Sequence, residues 1–193
     1  FVGLLARGGY RTMTVAADAP SQRLRNKMAK AIRTRHLVEA AHLARAAGMN
    51  RLKLYVIIGI PGETDEDIDE LIELSKELAA ILPLALGLSP LVPKLHTPLG
   101  DAPFAGIATI QRTLTRLRKA LGGVADVRSA SGRWAWIEYR MSQGGQDAGL
   151  AAREAWEHGG RFTHFKAAFQ SVEERGALRL ANEHALFRAA GMR

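Results

Sequence analysis

The sequence predicts an α/β fold in which helices cover a parallel sheet. Strand candidates alternate with helix candidates through residues 12–127, the pattern typical of βαβ units. One stretch, 51–79, contains a complete strand, a glycine turn and an amphipathic helix. The chain has 193 residues, of which 47% are hydrophobic, and this is ample for the core of such a domain.

The first strand and its following helices are predicted within residues 12–47. The segment TMTVAA at 12–17 is short and β-branched, and the turn sequence Asp-Ala-Pro-Ser follows it. Ser21 is a typical N-cap residue, so we predict a helix from 21 to about Arg33. A second helix, 34–47, ends at Gly48.

The stretch 51–79 predicts the unit around which the rest of the chain is organised. Residues 54–58 have the composition of a buried parallel strand, which Gly59, Pro61 and Gly62 then end. Thr64 can cap the next helix, and three carboxylates at 65–67 lie where the helix dipole favours them. The apolar face of that helix comprises Ile68, Leu71, Ile72, Leu78 and Leu82.

The remaining α/β elements complete the sheet. We predict a third strand at 84–91, a proline-rich loop at 92–98, a helix at 104–121 and a short strand at 124–127. Because ligands bind at the carboxyl ends of parallel strands, the loops after Ala17, Ile60 and Leu91 are expected to line one pocket. His96 lies in the third of these loops and is a candidate pocket residue.

The character of the chain changes near residue 129. Aromatic and alanine-rich helices are predicted at 133–141, 146–158, 162–175 and 177–190, with glycine pairs between some of them. We therefore assign 1–128 to the α/β part and 129–193 to a helical C-terminal extension.

The charge and composition limit the function classes. The net charge is +8, and the predicted helix at 21–33 carries Arg23, Arg25, Lys27, Lys30 and Arg33. Its basic side is either an ordinary solvated face or a cationic rim over an anionic ligand, and nucleic acid is one partner that such charge suggests. No apolar run is long enough to span a membrane, and the absence of cysteine excludes disulfides and thiolate metal sites within this chain. These features suit a cytoplasmic protein.

No familiar catalytic motif is present. The six histidines show no metal-site spacing, and His158 and His164 flank a glycine break where a structural or surface role is favoured over a metal site. The run from Gly59 to Gly62 is too short for a phosphate loop. Gly59 would allow a flat ligand to lie against the strand end, and a plain tight turn is the alternative.

Five longer segments resemble the radical S-adenosylmethionine (SAM) enzymes, and most closely the branch that carries a cobalamin (B12)-binding domain. They are TVAADAPSQRLRNKMAKAI (14–32), KLYVIIGIPGETDEDI (53–68), SPLVPKLHTPLGDAP (89–103) and, more loosely, WIEYRMSQGGQ (136–146) with EHGGRFTHF (157–165). The resemblance implies the C-terminal half of a partial (β/α)6 TIM-like barrel, with about strands four to six and a helical extension. The family's C-x3-C-x2-C loop, which holds a [4Fe-4S] cluster, has no counterpart in this cysteine-free chain, so we expect the N-terminal half of the barrel to be missing.

The resemblance also implies roles for individual residues. Asp18 would meet the SAM ribose, where relatives tend to have Glu, and Lys30 would face the SAM carboxylate. Adenine would lie on the next strand end. The SAM-binding candidates are Asp18, Ser21, Arg25, Lys30, Ile58, Gly59, Pro61 and Gly62, and the substrate-facing candidates are Pro93, Lys94 and His96. The sequence Ser-Gln-Gly-Gly-Gln at 142–146 departs from the arginine-glycine-aspartate type run of relatives.

The expected function is therefore that of a partial radical SAM enzyme. The complete protein would cleave SAM reductively at a [4Fe-4S] cluster, for radical chemistry or methyl transfer, with cobalamin as a candidate cofactor. This chain alone is expected to be inactive, and its partners would be SAM, an unidentified substrate and the missing half of the barrel. The alternatives are a non-catalytic basic module that binds nucleic acid and a barrel fragment of unrelated chemistry.

Overall fold

The computed structural model describes residues 1–174. They form two compact units. The first comprises Phe1–Leu91 and Ala105–Gly132, and the second comprises Val92–Phe104 with the chain from Arg133 onwards. The proline-rich segment thus clusters with the C-terminal helices. The functional assignment of 1–128 and 129–193 as separate domains stays a prediction.

The first unit is an α/β structure around one parallel four-stranded sheet, as predicted. The strands are ordered β1-β2-β3-β4, and every neighbouring pair is parallel. Its elements are α1 (Val2–Arg7), β1 (Thr12–Ala16), α2 (Gln22–Lys27), α3 (Thr34–Ala46), β2 (Arg51–Ile58), α4 (Asp65–Ile81), β3 (Leu84–Pro90), α5 (Ile107–Ala120) and β4 (Ala125–Ser129).

One face of the sheet provides the core of this unit. Side chains alternate between the two faces of a strand, and in β2 the alternate residues Leu52, Leu54, Val56 and Ile58 are all buried. The apolar side of α4 is buried as its periodicity predicted, and α3, α4 and α5 contact the strands. The other residues of β2 are less buried, and Tyr55 is 42% exposed, so the prediction of a strand buried along its whole length was wrong for Tyr55.

Helix α2 is shorter than predicted. It ends at Lys27 rather than near Arg33, because Ala29 adopts a left-handed conformation with φ 53°. The Lys30 N–H donates to the Arg25 carbonyl at 2.9 Å and the Ala29 N–H to the Asn26 carbonyl at 3.0 Å. These are the two bonds of a Schellman motif, in which the left-handed residue is usually glycine. An alanine at that position hid the end of the helix from sequence inspection.

Helix α5 also begins later than predicted. It starts at Ile107 rather than Phe104, because its N-cap, Gly106, has a positive φ of 89° that only glycine adopts readily. The other predicted strand and helix boundaries of this unit lie within three residues of the observed ones.

The second unit is helical in its described part apart from the loop segment Val92–Phe104. It contains α6 (Gly132–Gln143), α7 (Gln146–Glu157) and α8 (Phe162–Glu174). Its core is small and aromatic: Phe169 and alanines of α7 are fully buried, and the Trp136 ring packs edge-on against those of Phe162 and Phe169. The predicted helix at 177–190 lies outside the described residues. Among residues 1–174, no helix is both long and apolar enough to cross a membrane.

Candidate functional site

The carboxyl end of β1 brings together two of the predicted SAM-binding residues. Asp18 comes just after the strand in a left-handed conformation with φ 63°, which aspartate tolerates better than most residues. The Schellman turn after α2 carries Lys30 back to it, and the Lys30 Nζ lies 3.1 Å from the Asp18 Oδ2. The Asp18 side chain is 28% exposed and the Lys30 side chain is 44% exposed, so the pair is accessible to a ligand.

The carboxyl end of β2 forms a turn whose main-chain groups are bonded within the protein. The Gly59 N–H donates to the Glu63 carboxylate at 2.9 Å, and the Glu63 N–H donates to the Ile60 carbonyl at 2.9 Å. The Ile58 carbonyl accepts from the Leu91 N–H at 2.8 Å. A turn held in this way is already ordered before any ligand arrives.

Two cations of the α2 helix also bind this turn. The Lys27 Nζ donates to the Pro61 carbonyl at 2.9 Å, and the Arg23 guanidinium donates to the Gly62 carbonyl at 2.8 Å. These side chains connect the loop after β2 to the helix that follows β1. Arg23 and Lys27 therefore hold the protein's own turn. The sequence had suggested only a solvated face or a rim over an anionic ligand.

Below the turn, a buried carboxylate connects α2 to α4. Asp67 accepts hydrogen bonds from the Ser21 hydroxyl at 2.5 Å and from the Thr64 N–H at 2.8 Å, and it forms an ion pair with Arg23. Burial raises the pKa of Asp67, but the hydrogen bonds from Arg23, Ser21 and Thr64 outweigh it and lower the pKa to about 2. The network is fully charged at neutral pH.

Ser21 itself has both of its hydrogen-bonding roles occupied. It is buried, its hydroxyl donates to Asp67, and its oxygen accepts from the Leu24 N–H at 3.2 Å as the N-cap of α2. The predicted cap is confirmed. Its assignment as a SAM contact stays a prediction that this geometry does not favour.

Arg25 is enclosed by protein. Its side chain has no exposed surface, and it donates to the Thr34 hydroxyl at 2.7 Å and to the Ala19 carbonyl at 3.3 Å. Burial lowers the pKa of the guanidinium, and the Glu70 carboxylate at 3.6 Å offsets part of that effect. A residue held in this way supports the loop between α2 and α3, and the structure gives it no open approach to a ligand.

Gly59 lacks a side chain for a reason of packing. Its φ is 76°, and a Cβ atom there would lie 2.7 Å from the Ile110 Cδ1 and 3.0 Å from the Ala105 Cβ. The space on that side of the backbone is thus filled by the start of α5. The predicted adenine contact at Ile58, Gly59, Pro61 and Gly62 is compatible with an ordered turn and stays a prediction.

Glu63 is a candidate that sequence inspection missed. Burial raises the pKa of its carboxyl group to about 7 from an ordinary value of 4.5, although hydrogen bonds from the Gly59 and Ile60 N–H groups act in the opposite direction. It is therefore part-protonated near neutral pH, at a strand end where ligands bind. The sequence contained the signal, because Glu63 immediately follows the glycine turn.

The predicted substrate-facing residues lie in the second unit. Lys94 is exposed and forms an ion pair with Glu138 on α6 at 2.6 Å. His96 is also exposed and has a positive φ of 62°. Gln143 donates to the Pro93 carbonyl at 3.0 Å and to the Gly100 carbonyl at 2.9 Å, so α6 holds this loop at two points.

The histidines show no metal centre in the described part of the chain. No group of three or more His, Asp or Glu side chains within residues 1–174 is arranged to hold a metal ion. The Nδ1 atoms of His158 and His164 each face a backbone partner, the Glu154 carbonyl at 2.8 Å and the Arg161 N–H at 3.3 Å. His184 lies outside the described residues.

Comparisons with known proteins agree with the resemblance over the first part of the chain. Residues 1–75 match the family model described as the radical SAM superfamily. This stretch runs from α1 into α4 and includes the Asp18–Lys30 pair and the turn after β2. The match confirms the similarity to radical SAM proteins there, and the closeness to the cobalamin-binding branch stays a prediction.

The chain is also similar to an uncharacterized protein of Methanocaldococcus jannaschii. The two are 44% identical over 88 residues, which is 45% of this chain and 20% of that protein. This chain thus spans about a fifth of the length of the curated relative that it matches.

Proposed function

We propose that this chain is a SAM-binding and substrate-facing part of a radical SAM enzyme. The observation that carries the proposal is the match of residues 1–75 to the radical SAM superfamily. It coincides with a parallel sheet whose first two strand ends carry an accessible carboxylate–ammonium pair and an ordered glycine turn. In α/β folds, ligands bind at this edge of the sheet.

The residues at the β1 end suit the polar groups of SAM. A carboxylate such as Asp18 can accept hydrogen bonds from ribose hydroxyls, and an ammonium such as Lys30 can face the methionine carboxylate. Both side chains are partly exposed, and an ion pair holds them near each other. A bound SAM could replace this ion pair, with its ribose on Asp18 and its carboxylate on Lys30. The turn at 59–62 would offer its ordered backbone to the adenine, with Arg23 and Lys27 as the side chains that position it.

The iron–sulfur cluster does not fit this chain. A [4Fe-4S] cluster is ligated by cysteine thiolates, and the chain contains no cysteine. The cluster chemistry of a radical SAM enzyme would therefore be supplied by another part of the complete protein. We propose that the complete protein cleaves SAM reductively and that cobalamin is a candidate cofactor. We also propose that Pro93, Lys94 and His96 face the substrate.

A calorimetric titration of the 193-residue chain with SAM tests the binding role. We expect saturable binding, and we expect Asp18→Asn and Lys30→Gln each to weaken it about five- to tenfold, because each removes a charge-assisted hydrogen bond. Lys76→Gln is the matched control, since Lys76 lies on the exposed side of α4 and pairs with Glu73. Equal affinity in all four proteins would contradict the assigned contacts.

A second measurement tests the division of labour. Incubated with SAM and dithionite, the isolated chain should form no 5′-deoxyadenosine, because it lacks the ligands of the cluster. Detection of that product from the chain alone would overturn the proposal that the reactive centre lies elsewhere.

A further inference from the structure

The two faces of the sheet carry opposite chemistry. Residues paired between parallel strands lie on the same face, and the face of Leu52 and Leu54 is buried and aliphatic. The other face, called the open face below, displays polar and charged residues. It is defined by Thr14 on β1, by Arg51, Lys53 and Tyr55 on β2, and by Asp126 and Arg128 on β4.

The open face has an excess of positive charge. It has three cations and one carboxylate, which leaves two positive charges unbalanced. Arg128 binds Asp126 through two nitrogens, at 2.9 and 2.7 Å. Arg51 approaches the same carboxylate only to 3.9 Å, and the Lys53 Nζ lies 4.7 Å from the centre of the Tyr55 ring. Arg51 and Lys53 thus keep most of their donors available.

Small residues on β3 keep the middle of this face shallow. Ala85 pairs with Lys53 on one side and Asp126 on the other, and Gly87 pairs with Tyr55 and Arg128. A Cβ atom on Gly87 would lie 2.8 Å from the Tyr55 Cδ1, so the tyrosine ring rests directly on the β3 backbone. The result is a fixed aromatic ring beside cations, with 42% of the tyrosine accessible.

A face of this kind needs an anionic counterpart once it is covered. Parallel sheets are normally covered on both faces, and charged groups removed from water must be paired. If the complete enzyme closes a barrel over this sheet, the open face becomes its inner wall. SAM is a poor match for that wall, because its sulfonium and ammonium outweigh its one carboxylate.

We propose that the open face binds a second small ligand that carries phosphate or carboxylate groups, toward the amino-terminal end of β2 and apart from the edge that carries Asp18 and the glycine turn. The inference rests on the proposed function only for the barrel that would cover this face. Arg51 and Lys53 provide the principal charge-assisted hydrogen bonds, Thr14 is paired with Lys53 across the sheet and offers a hydroxyl, and Tyr55 provides an apolar surface.

Amide chemical shifts of the ¹⁵N-labelled chain, titrated with sodium pyrophosphate at constant ionic strength, test this site. We expect saturable shifts centred on residues 14, 53, 55 and 128. Arg51→Gln and Lys53→Gln should each weaken binding at least fivefold, and the matched control Arg45→Gln, on the exposed side of α3, should change it less than twofold. Sodium citrate in place of pyrophosphate distinguishes a carboxylate ligand from a phosphate ligand.

The remaining outcomes decide between occupants. Shifts spread over the whole surface, or equal losses in Arg45→Gln and Lys53→Gln, would overturn the proposal. Binding of an oligothymidylate about a hundredfold tighter than pyrophosphate, with a steep salt dependence, would also overturn it, since the occupant would then be a nucleic acid. The titration of the wild-type chain with SAM is an independent test. If SAM does not bind but pyrophosphate does, the proposed function fails and the anion site remains. If SAM binds and pyrophosphate does not, only the present inference fails.

Discussion

Two groups of basic residues in this molecule look alike in the sequence, but the structure gives them different surroundings. The cations of the α2 region are engaged by the protein itself: Arg23, Lys27 and Lys30 contact Gly62, Pro61 and Asp18 at 2.8, 2.9 and 3.1 Å. On the open face, Arg51 lies 3.9 Å from the Asp126 carboxylate. Positive charge in a sequence therefore does not indicate a ligand by itself, because neighbouring carbonyls and carboxylates decide whether a cation is already bound.

Removal of the buried carboxylate beneath α2 is expected to have the largest effect on the cations of that region. Asp67→Ala should lower the free energy of unfolding by about 3 kcal/mol, since Ser21, Thr64 and Arg23 lose their acceptor together. Chemical denaturation at pH 7 measures it. Asp69→Ala is the control: Asp69 is exposed and paired with Arg116, so its loss should cost less than about 0.5 kcal/mol.

The pH dependence of the same variant gives an internal check. The pKa of Asp67 is about 2 in the folded protein and ordinarily 3.8, so its stabilisation is present above the ordinary value and is lost as the pH falls toward 2. The difference between wild type and Asp67→Ala should shrink over that interval. A difference that stays constant down to pH 2 would show that the loss arises from packing.

The origin of the glycine turn is tested by Gly59→Ala. The substitution should cost about 2–3 kcal/mol, because it adds strain at a positive φ and forces a Cβ atom against Ile110. Gly149→Ala is the matched control in an open position within α7, and it should be neutral or stabilising. If Gly59→Ala left stability unchanged and reduced only SAM affinity, the turn would be shaped by its ligand and not by α5.

Glu63 allows a test of the carboxyl group beside the turn. Its pKa is raised to about 7 in the folded state from 4.5, so the folded protein binds the extra proton between these values and loses stability as the pH rises through them. Wild type should be less stable at pH 8 than at pH 4 by about 3 kcal/mol from this group. Glu63→Gln should remove that part of the slope in denaturation curves, whereas the exposed Glu73→Gln should retain it.

The smallest expected effect is at the end of α2. Ala29→Gly should stabilise the chain by about 0.5 kcal/mol, since glycine adopts the left-handed conformation of Ala29 at less steric cost. Thermal unfolding measures the change. Ala46→Gly, within the ordinary helical turn at the end of α3, should be destabilising instead.

Much of the first unit could be predicted from sequence because its signals are local. The strand at 51–58 contains a run of aliphatic and aromatic residues that ends at a glycine turn, and α4 has a capping residue, acidic first turn and apolar period that agree with one another. The Asp18–Lys30 proximity followed only from the family resemblance, and the structure shows the two together. Arg23, Lys27 and Asp67 were missed as a network because their partners lie 34–46 residues away.

The sequence by itself determined the parallel α/β unit, the glycine turn and the absence of cluster ligands, since periodicity, turn residues and cysteine content are properties of the chain alone. Only the tertiary structure decided which charges are satisfied. It enclosed Arg25, assigned the space beside Gly59 to Ile110 and left Arg51 and Lys53 on the open face. The physical reason is that a side chain's solvation and partners depend on residues brought close by folding, which local spacing does not specify.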